Sequence, residues 1–436
     1  MRMKLVIGAM LLASAGATGL VQARTPATAV RPAGEQVQTL VDSYVSTGKL
    51  PGIVVAIGRG DRPTHFFSAG RIAVEANAPA ADQNSLWRVY SMTKPITGIA
   101  AMILVQEGKL SLDQPISDFI PAFKNMQVMD DRNGSTAKTH AATHPITVRH
   151  LLTHTSGLGY DLGQQDVPEG GWLAAYRANG INPAQVSTSL EPNLRAVRPA
   201  SLEAFANKLA TLPLLNEPGT RWSYSIGLDL LGRVIEVASG MPFDTFLQKR
   251  LFDPLGMKST FFTLPASEQG RLATNYFFAG ENRLPIDAGT GSLWLTAPSF
   301  PYGGAGLISS AYDYDRFLHM LQNGGTLDGV QILKPETAAL AMSNLLPEGT
   351  DTSLLTGMSP VPGALGFGAG GSVYLVDVAG AAMKGTYGWG GAAGTIAWVD
   401  RARGVRGNVM VNYMPAEKWP LRADLNKALV ADLAAQ

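Results

Sequence analysis

The segment from Lys94 to Glu107, KPITGIAAMILVQE, is apolar on almost every side when it is drawn as a helix. A helix of this kind needs packing partners all around it, so the rest of the chain has to supply layers on more than one of its faces. Gly108 marks its end, and Pro95 is tolerated near its start because the first helical N–H groups have no intrahelical acceptor. With 436 residues and 46% hydrophobic content, the chain is long enough to enclose such a helix.

Strand patterns lie near both ends of the chain, and helical patterns fill the middle. After a helix that begins near residue 35, the stretch PGIVVAIGRGDRPTHFFSAG predicts two strands around a turn at Gly60-Asp61. GGSVYLVDV, GTIAWVD and GNVMVNYM predict strands ahead of a closing amphipathic helix that begins at Leu421. We therefore predict an α/β (α+β) fold, in which one antiparallel sheet is built from both chain ends, is flanked by the terminal helices and carries an inserted, mostly helical domain.

The N-terminus has the pattern of a secretory signal peptide. Arg2 and Lys4 precede an apolar run interrupted by Gly and Ser, and Val21-Gln22-Ala23 fits a small-x-small cleavage site. A membrane anchor is the alternative, but the run is short for a span of about 20 residues. The predicted segments are 1–23 as signal peptide, 24–34 as a Pro- and Ala-rich flexible leader, and 35–435 as one domain with an α/β part (about 35–90 and 300–435) and a helical part (about 91–299).

Composition excludes several classes of partner and site. Cleavage after residue 23 leaves 33 basic and 34 acidic residues, so no positive surface is expected for nucleic acid. The chain has no cysteine, hence no disulfide or thiolate metal site, and none of its six histidines lies in an H-E-x-x-H pattern. We expect surface or structural histidines, no metal or other cofactor, and no membrane contact once the signal peptide is removed. The protein is then exported, either periplasmic or secreted, and its oligomeric state is left open.

The S-x-x-K pattern occurs three times, at Ser46/Lys49, Ser91/Lys94 and Ser135/Lys138. A serine hydroxyl becomes a good nucleophile when a neighbour takes its proton, and a lysine three residues on lies on the same helix face. Such a lysine must be neutral to act as a base, although its ordinary pKa is about 10.4. Burial favours the neutral form, and only Lys94 belongs to the predicted buried helix. The alternative for Ser91 is a helix N-cap, and this segment alone does not decide between the two.

Two further segments bear on that choice. Tyr224, in EPGTRWSYSIGLDLLG, comes directly before a predicted helix, where its hydroxyl can face a cleft. YGWGGAAGT puts Trp389, Gly390 and Gly391 at the start of a predicted strand. Glycines there allow a substrate to approach the backbone closely, as is needed where an N–H group must meet an oxyanion.

In this order the segments resemble the serine β-lactamase and penicillin-recognising hydrolase superfamily, and most closely its family VIII carboxylesterases, from about residue 35 to 435. The resemblance rests on LWRVYSMTKPITGIAAMILVQEGKLSLDQPI, ITVRHLLTHTSGL, PGTRWSYSIGLDLLGRVIEVASGMPF, YGGAGLISSAYDYDRFL and GWGGAAGT. It implies a β-lactamase-like fold and no cofactor. It also implies Ser91 as the acylated nucleophile, Lys94 as the base, and Tyr224 as a proton shuttle.

The same resemblance implies an oxyanion hole formed by the backbone N–H groups of Ser91 and Ala392. It places the third motif, which binds substrate, on Trp389, Gly390 and Gly391. Two departures favour esters over β-lactams: Ile226 stands where β-lactamases have an asparagine, and Trp389 stands where they have a lysine that meets the substrate carboxylate. Lys384, in KGT, is interpreted as a surface lysine that precedes a strand.

We therefore expect a secreted serine hydrolase that cleaves small-molecule carboxylic esters through an acyl-enzyme. A β-lactamase, or a peptidase acting on D-amino-acid or cell-wall peptides, is the first alternative. Acyl transfer to an alcohol or amine is the second, because an acyl-enzyme does not specify its acceptor. A non-catalytic penicillin-binding-like module is the third, although such a module is expected to have lost Ser91, Lys94 or Tyr224.

Overall fold

The computed structural model describes residues 34–164, 168–182 and 185–434, so the predicted signal peptide and residues 24–33 of the predicted leader lie outside the described residues. The helices are α1 Glu35–Ser46, α2 Thr93–Gln106, α3 Val148–Leu152, α4 Trp172–Ala178, α5 Glu191–Val197, α6 Leu202–Leu209, α7 Gly227–Ser239, α8 Phe243–Leu247, α9 Asp253–Leu255, α10 Ala311–Gln322, α11 Pro335–Ala341, α12 Ser353–Thr356 and α13 Leu421–Ala434. Within the described ranges, no helix has the length and apolarity that crossing a membrane requires.

The strands are β1 Gly52–Arg59, β2 His65–Gly70, β3 Leu86–Arg88, β4 Gln127–Met129, β5 Thr139–Ala141, β6 Asn275–Ala279, β7 Asn282–Asp287, β8 Ile308–Ser310, β9 Thr326–Leu327, β10 Val330–Gln331, β11 Leu365–Phe367, β12 Ser372–Tyr374, β13 Tyr387–Gly390, β14 Ile396–Asp400, β15 Val405–Met410 and β16 Tyr413–Met414. In the described part of the chain, the main sheet has seven strands in the order β11-β12-β13-β14-β15-β1-β2. Every adjacent pair in it is antiparallel.

The two chain ends meet inside this sheet, because β1 pairs with β15 and Val54 lies opposite Met410. Side chains alternate along β1, so Ile53 and Val55 face the terminal helices α1 and α13, whereas Val54 faces the central core. Both faces of the strand are therefore buried, which explains its continuous apolar sequence. The predicted antiparallel sheet from both chain ends, flanked by terminal helices, is confirmed.

Helix α2 lies in that central core. Every residue from Thr93 to Leu104 is buried, as its uniformly apolar pattern predicts. Gly98 allows α2 to pack closely against the connection between β11 and β12, because any side chain at this position would overlap the carbonyl of Ala369. The buried helix is thus surrounded by α7, the β11-β12 hairpin and the main sheet.

The inserted part also contains strands that the sequence patterns did not predict. A hairpin of β6 and β7 forms a small sheet with β16, which runs parallel to β6. The sequence predicted one strand over residues 407–414, but the chain leaves the main sheet after Met410. Between the two strands, the Asn412 side chain accepts from the Arg88 N–H at 3.1 Å and donates to the Arg88 carbonyl at 3.0 Å. A side-chain amide thus replaces the backbone ladder at this point and redirects the chain.

Candidate active site

Ser91 lies in a 3₁₀ turn, Tyr90–Met92, between β3 and α2. Tyr90 has a φ of 41°, a left-handed conformation that is rare for a bulky residue and is found where the surrounding structure enforces it. The Tyr90 ring is buried, and its hydroxyl accepts a hydrogen bond from Asn275 Nδ2 at 2.9 Å. Met92, and not Ser91, precedes the first residue of α2, and no side chain caps this helix. The alternative of Ser91 as an N-cap is therefore not what the structure has.

Lys94 is the second residue of α2, and it is completely buried. Its Nζ donates to Ser91 Oγ at 3.2 Å and to the carbonyl of Gly304 at 2.7 Å. The same nitrogen lies 4.6 Å from the centre of the Tyr224 ring and 5.2 Å from the centre of the Tyr160 ring. Lys94 is thus held against the serine by one carbonyl and two aromatic faces.

Tyr224 reaches the serine from the segment that precedes α7. Its hydroxyl lies 2.7 Å from Ser91 Oγ, and the indole Nε1 of Trp389 donates to the Tyr224 oxygen at 3.3 Å. The Trp389 ring lies 5.7 Å from the Tyr224 ring and 5.2 Å from the Phe367 ring. The structure therefore brings Ser91, Lys94, Tyr224 and Trp389 into one contact network.

His154 supports Tyr224 from the other side, and the sequence patterns gave it no such place. It is fully buried, with a φ of 57°, and its ring centre is 4.7 Å from that of Tyr224. Its Nδ1 accepts the backbone N–H of Ser225 at 3.1 Å, which fixes the residue after the tyrosine. Burial, together with the positive charge of Lys94, lowers the pKa of His154 well below its ordinary value, so the imidazole is neutral.

Trp389 and Gly390 are the last residues of β13, and Gly391 begins the turn to β14. The sequence patterns placed them at the start of a strand, which is wrong. Gly391 lies so close to the Val89 carbonyl that a side chain on it would overlap that oxygen. This contact brings the turn that contains Ala392 next to the turn that contains Ser91. Among the described residues, neither the Ser91 nor the Ala392 N–H donates to a backbone carbonyl outside its own helix or strand.

Behind Lys94 lies a buried carboxylate. Asp229, on the first turn of α7, accepts the N–H of Gly304 at 2.9 Å, and the carbonyl of that same glycine accepts from Lys94. Burial raises the pKa of Asp229 to about 6, against the opposing effects of the Lys94 charge and the Gly304 hydrogen bond. In the sequence, Asp229 is visible only as an acidic residue in the first turn of a predicted helix. Acidic residues are common at that position, so the sequence does not indicate a distant partner.

The other residues singled out in the sequence lie away from this network. Ser46 ends α1 and is exposed, and Ser135 and Lys138 are exposed in the segment between β4 and β5. Lys384 is exposed and precedes β13, as interpreted from the sequence. Ile226 is buried in the central core, so the second motif has no amide at this position. In the described ranges, no group of three or more histidine or acidic side chains is arranged to hold a metal ion.

Comparison with known proteins agrees with the geometry of the site. The sequence matches the beta-lactamase family over residues 37–431. It is 30% identical over 397 residues to esterase EstB of Burkholderia gladioli, covering 86% of this chain and 90% of EstB. It is 29% identical over 414 residues to lovastatin esterase of Penicillium rubens, covering 91% and 97% of the two chains.

A solved structure, described as EstCE1, a hydrolase with promiscuous acyltransferase activity, superposes with a TM-score of 0.73. The two share 28% identity, over 90% of this chain and 97% of that one. The chain belongs to the beta-lactamase family and is a serine hydrolase of the branch that includes EstB and EstCE1.

Proposed function

We propose that the protein is an exported enzyme that hydrolyses small-molecule carboxylic esters through an acyl-enzyme formed on Ser91. The observation that carries this proposal is the position of Ser91 Oγ, 3.2 Å from Lys94 Nζ and 2.7 Å from the Tyr224 oxygen. A serine with two proton-transfer partners on one oxygen has what a nucleophile needs. Export is supported by the signal-peptide pattern of residues 1–23.

In the proposed reaction, Ser91 Oγ attacks the ester carbonyl carbon while its proton passes to the Lys94 and Tyr224 pair. The carbonyl oxygen becomes an oxyanion, which the N–H groups of Ser91 and Ala392 stabilise. When the tetrahedral intermediate collapses, the C–O bond to the alcohol breaks and the alcohol leaves with the transferred proton. Water then attacks the acyl group and gives its proton to the same pair. The C–O bond to Ser91 breaks, and the pair returns that proton to Ser91 Oγ as the free acid leaves.

The preference for neutral esters is supported by the two departures from the β-lactamase motifs. Trp389 offers one N–H, which is already engaged with Tyr224, and an apolar face. A lysine in its place would offer a charge-assisted hydrogen bond to a substrate carboxylate, worth about 1.5–3 kcal/mol. Short-chain p-nitrophenyl esters should therefore exceed a chromogenic cephalosporin by orders of magnitude in kcat/KM. If the cephalosporin is the better substrate, the protein is a β-lactamase.

The nucleophile is tested with a fluorophosphonate probe, which labels activated serines. Ser91→Ala should abolish labelling, whereas Ser46→Ala and Ser135→Ala should not change it, because both of those side chains are exposed and away from the network. A labelled peptide that does not contain Ser91 would contradict the proposal.

Export is tested separately by mass spectrometry of the protein recovered outside the cytoplasm. The expected N-terminus is Arg24 or a residue close to it. An intact Met1 in a cytoplasmic fraction would refute this part of the proposal and leave the esterase part standing.

Acyl transfer is a second candidate, favoured by the similarity to EstCE1, which is described as having promiscuous acyltransferase activity. Adding a primary alcohol to the ester assay should then yield a new ester at the expense of the free acid. If the free acid remains the sole acyl product at high alcohol concentration, the enzyme is a hydrolase alone.

A further inference from the structure

We propose that Asp229 is a positioning residue for the Ser91, Lys94 and Tyr224 network, a buried carboxylate that holds Lys94 through the Gly304 backbone and places a negative charge behind it. This inference rests on the proposed function, because it concerns how the proton-transfer pair of that reaction is controlled. Asp229 does not contact Ser91, and it acts through Lys94.

The connection runs through a single peptide residue. Lys94 Nζ donates to the Gly304 carbonyl at 2.7 Å, and the Gly304 N–H donates to Asp229 Oδ1 at 2.9 Å. The N–H and the carbonyl belong to the two peptide groups that flank the Gly304 Cα, so the carboxylate fixes the position of the backbone whose carbonyl accepts from Lys94. Moving or neutralising Asp229 therefore changes the environment of Lys94 without touching the serine.

The Gly303-Gly304 pair explains how this segment comes so close to α7. A side chain on Gly303 would overlap the carbonyl of Leu228, and one on Gly304 would press against the carboxylate of Asp229. The absence of both side chains lets the backbone lie directly between Asp229 and Lys94. The two glycines at residues 303 and 304 are thus a requirement of this contact.

The charges in this region also pair Asp229 with Lys94. Both side chains are almost completely buried, and a buried ammonium group is costly without an opposite charge nearby. The titratable groups that interact with Asp229 are Lys94 from α2, Tyr160 after α3 and Tyr302 before β8. Burial raises the pKa of both tyrosines above the ordinary value, so they remain neutral near neutral pH. Within the described ranges, Lys94 is therefore the cation that acts on Asp229.

A purely structural role for Asp229 is the alternative, and the chain contains a matched control. Asp313 is also the third residue of its helix, α10, and it is also buried. It accepts the N–H of Ser259 at 2.6 Å and the hydroxyl of Thr260 at 2.9 Å, and burial raises its pKa too. Among the described residues, the cations that act on it are Arg271 and Arg316 and not a lysine, so Asp313 shares the burial of Asp229 without the link to the network.

The test compares Asp229→Asn with Asp313→Asn in the full chain. The rate of fluorophosphonate labelling at Ser91 and kcat/KM for p-nitrophenyl acetate are measured across a pH series from acidic to alkaline. An asparagine at 229 still accepts from Gly304 but carries no charge, and removing a negative charge next to a base favours loss of its proton. The midpoint of the acidic limb should move to lower pH by about one unit. Asp313→Asn should leave that midpoint unchanged.

Equal midpoints for the unmodified enzyme and both variants would overturn the inference, even if the rates fall, because a structural residue lowers rates without moving the profile. If Asp229→Asn is too unstable to assay, Asp229→Ser removes the same charge and should give the same shift. An unmodified enzyme that labels at Ser91 but hydrolyses no ester would refute the proposed function, while the labelling profile still tests Asp229. No labelling at Ser91 would overturn both.

Discussion

Lys94 and Tyr224 contact the same oxygen of Ser91, and each is confined by a different part of the fold. We predict that Lys94→Ala and Tyr224→Phe each lower kcat for ester hydrolysis by about 10²-fold or more, because in the proposed reaction each removes a group that transfers the serine proton. Steady-state kinetics with a p-nitrophenyl ester measures this. Lys138→Ala and Tyr312→Phe change exposed side chains and should retain normal kcat. Normal turnover in both site variants would mean that another group is the base.

Ionisation of the Asp229 carboxyl group also makes the stability of the folded protein depend on pH. Its pKa is about 6 in the folded protein and 3.8 ordinarily, so the folded state binds this proton more tightly than the unfolded state does. The stability that this group contributes is complete below about pH 4 and is lost as the pH rises through 6. Asp229→Asn lacks this dependence. The free energy of unfolding of this variant, minus that of the unmodified protein, should therefore rise by about 3 kcal/mol between pH 4 and pH 7.

Urea unfolding of both proteins at several pH values gives this difference directly. Asp313→Asn should show a difference of the same sign, because burial also raises the pKa of Asp313. A difference between Asp229→Asn and the unmodified protein that stays constant from pH 4 to pH 7 would show that the Asp229 carboxyl ionises as it does in water.

Trp389 stands where the resemblance implies a substrate-binding lysine in β-lactamases, and its indole donates to the Tyr224 oxygen. We predict that Trp389→Lys raises kcat/KM for a cephalosporin relative to a p-nitrophenyl ester by about tenfold or more, because an ammonium group can pair with the substrate carboxylate. Trp389→Phe keeps an apolar wall and should not produce this change. An unchanged ratio in the lysine variant would show that the third motif does not select the substrate.

At this scale the sequence indicates reactive residues better than supporting ones. Ser91, Lys94 and Tyr224 were selected from a buried helix and from motif order, and the structure has them in contact. His154 and Asp229 were missed because their partners, Ser225 and Gly304, lie far away in sequence. No local pattern reports which distant backbone N–H group a buried imidazole or carboxylate will meet.

Among the elements, the turn from β13 to β14 depends on one glycine. We predict that Gly391→Ala lowers kcat by about 10²-fold, the cost of disturbing one oxyanion donor, because a methyl group would push the Ala392 turn away from Val89. Kinetics alongside circular dichroism separates this from unfolding. Gly270→Ala is the control, since nothing lies within 4 Å of its added methyl group. Equal kcat in the two variants would exclude Ala392 from the oxyanion hole.

The helices were easier to predict than the strands. The apolar character of α2 continues over 14 residues, which is too long for a strand, and the structure has the helix at the predicted position. The strands of the inserted part, such as β6 and β7, are short, so apolar and polar residues alternate over too few positions to predict a strand. The end of β15 could not be predicted either, because it is set by the side chain of Asn412 and its bonds to Arg88.

For the molecule as a whole, carboxylates of α13 join the two terminal helices: Asp424 accepts the Tyr44 hydroxyl at 2.8 Å, and Asp432 meets the start of α1. Asp432 of α13 accepts the N–H groups of Gln36 and Val37, both at 3.0 Å, and so serves the unpaired donors at the start of α1. We predict that Asp432→Asn lowers the free energy of unfolding by about 1 kcal/mol and leaves kcat unchanged. Thermal and urea unfolding measure the first, and ester kinetics the second. Asp42→Asn, on the exposed side of α1, should have little effect on either.

The pairing of β1 with β15 also determines when the chain can finish folding. Val54 is made early in synthesis, and its partner Met410 follows about 350 residues later, which at about 5–20 residues per second is a delay of roughly 20–70 seconds. Throughout that interval, the first hairpin has an open edge and no sheet to join. A ribosome that stops before residue 405 therefore releases a chain that cannot close its main sheet, and such fragments become substrates for chaperones and proteases rather than partly active enzymes.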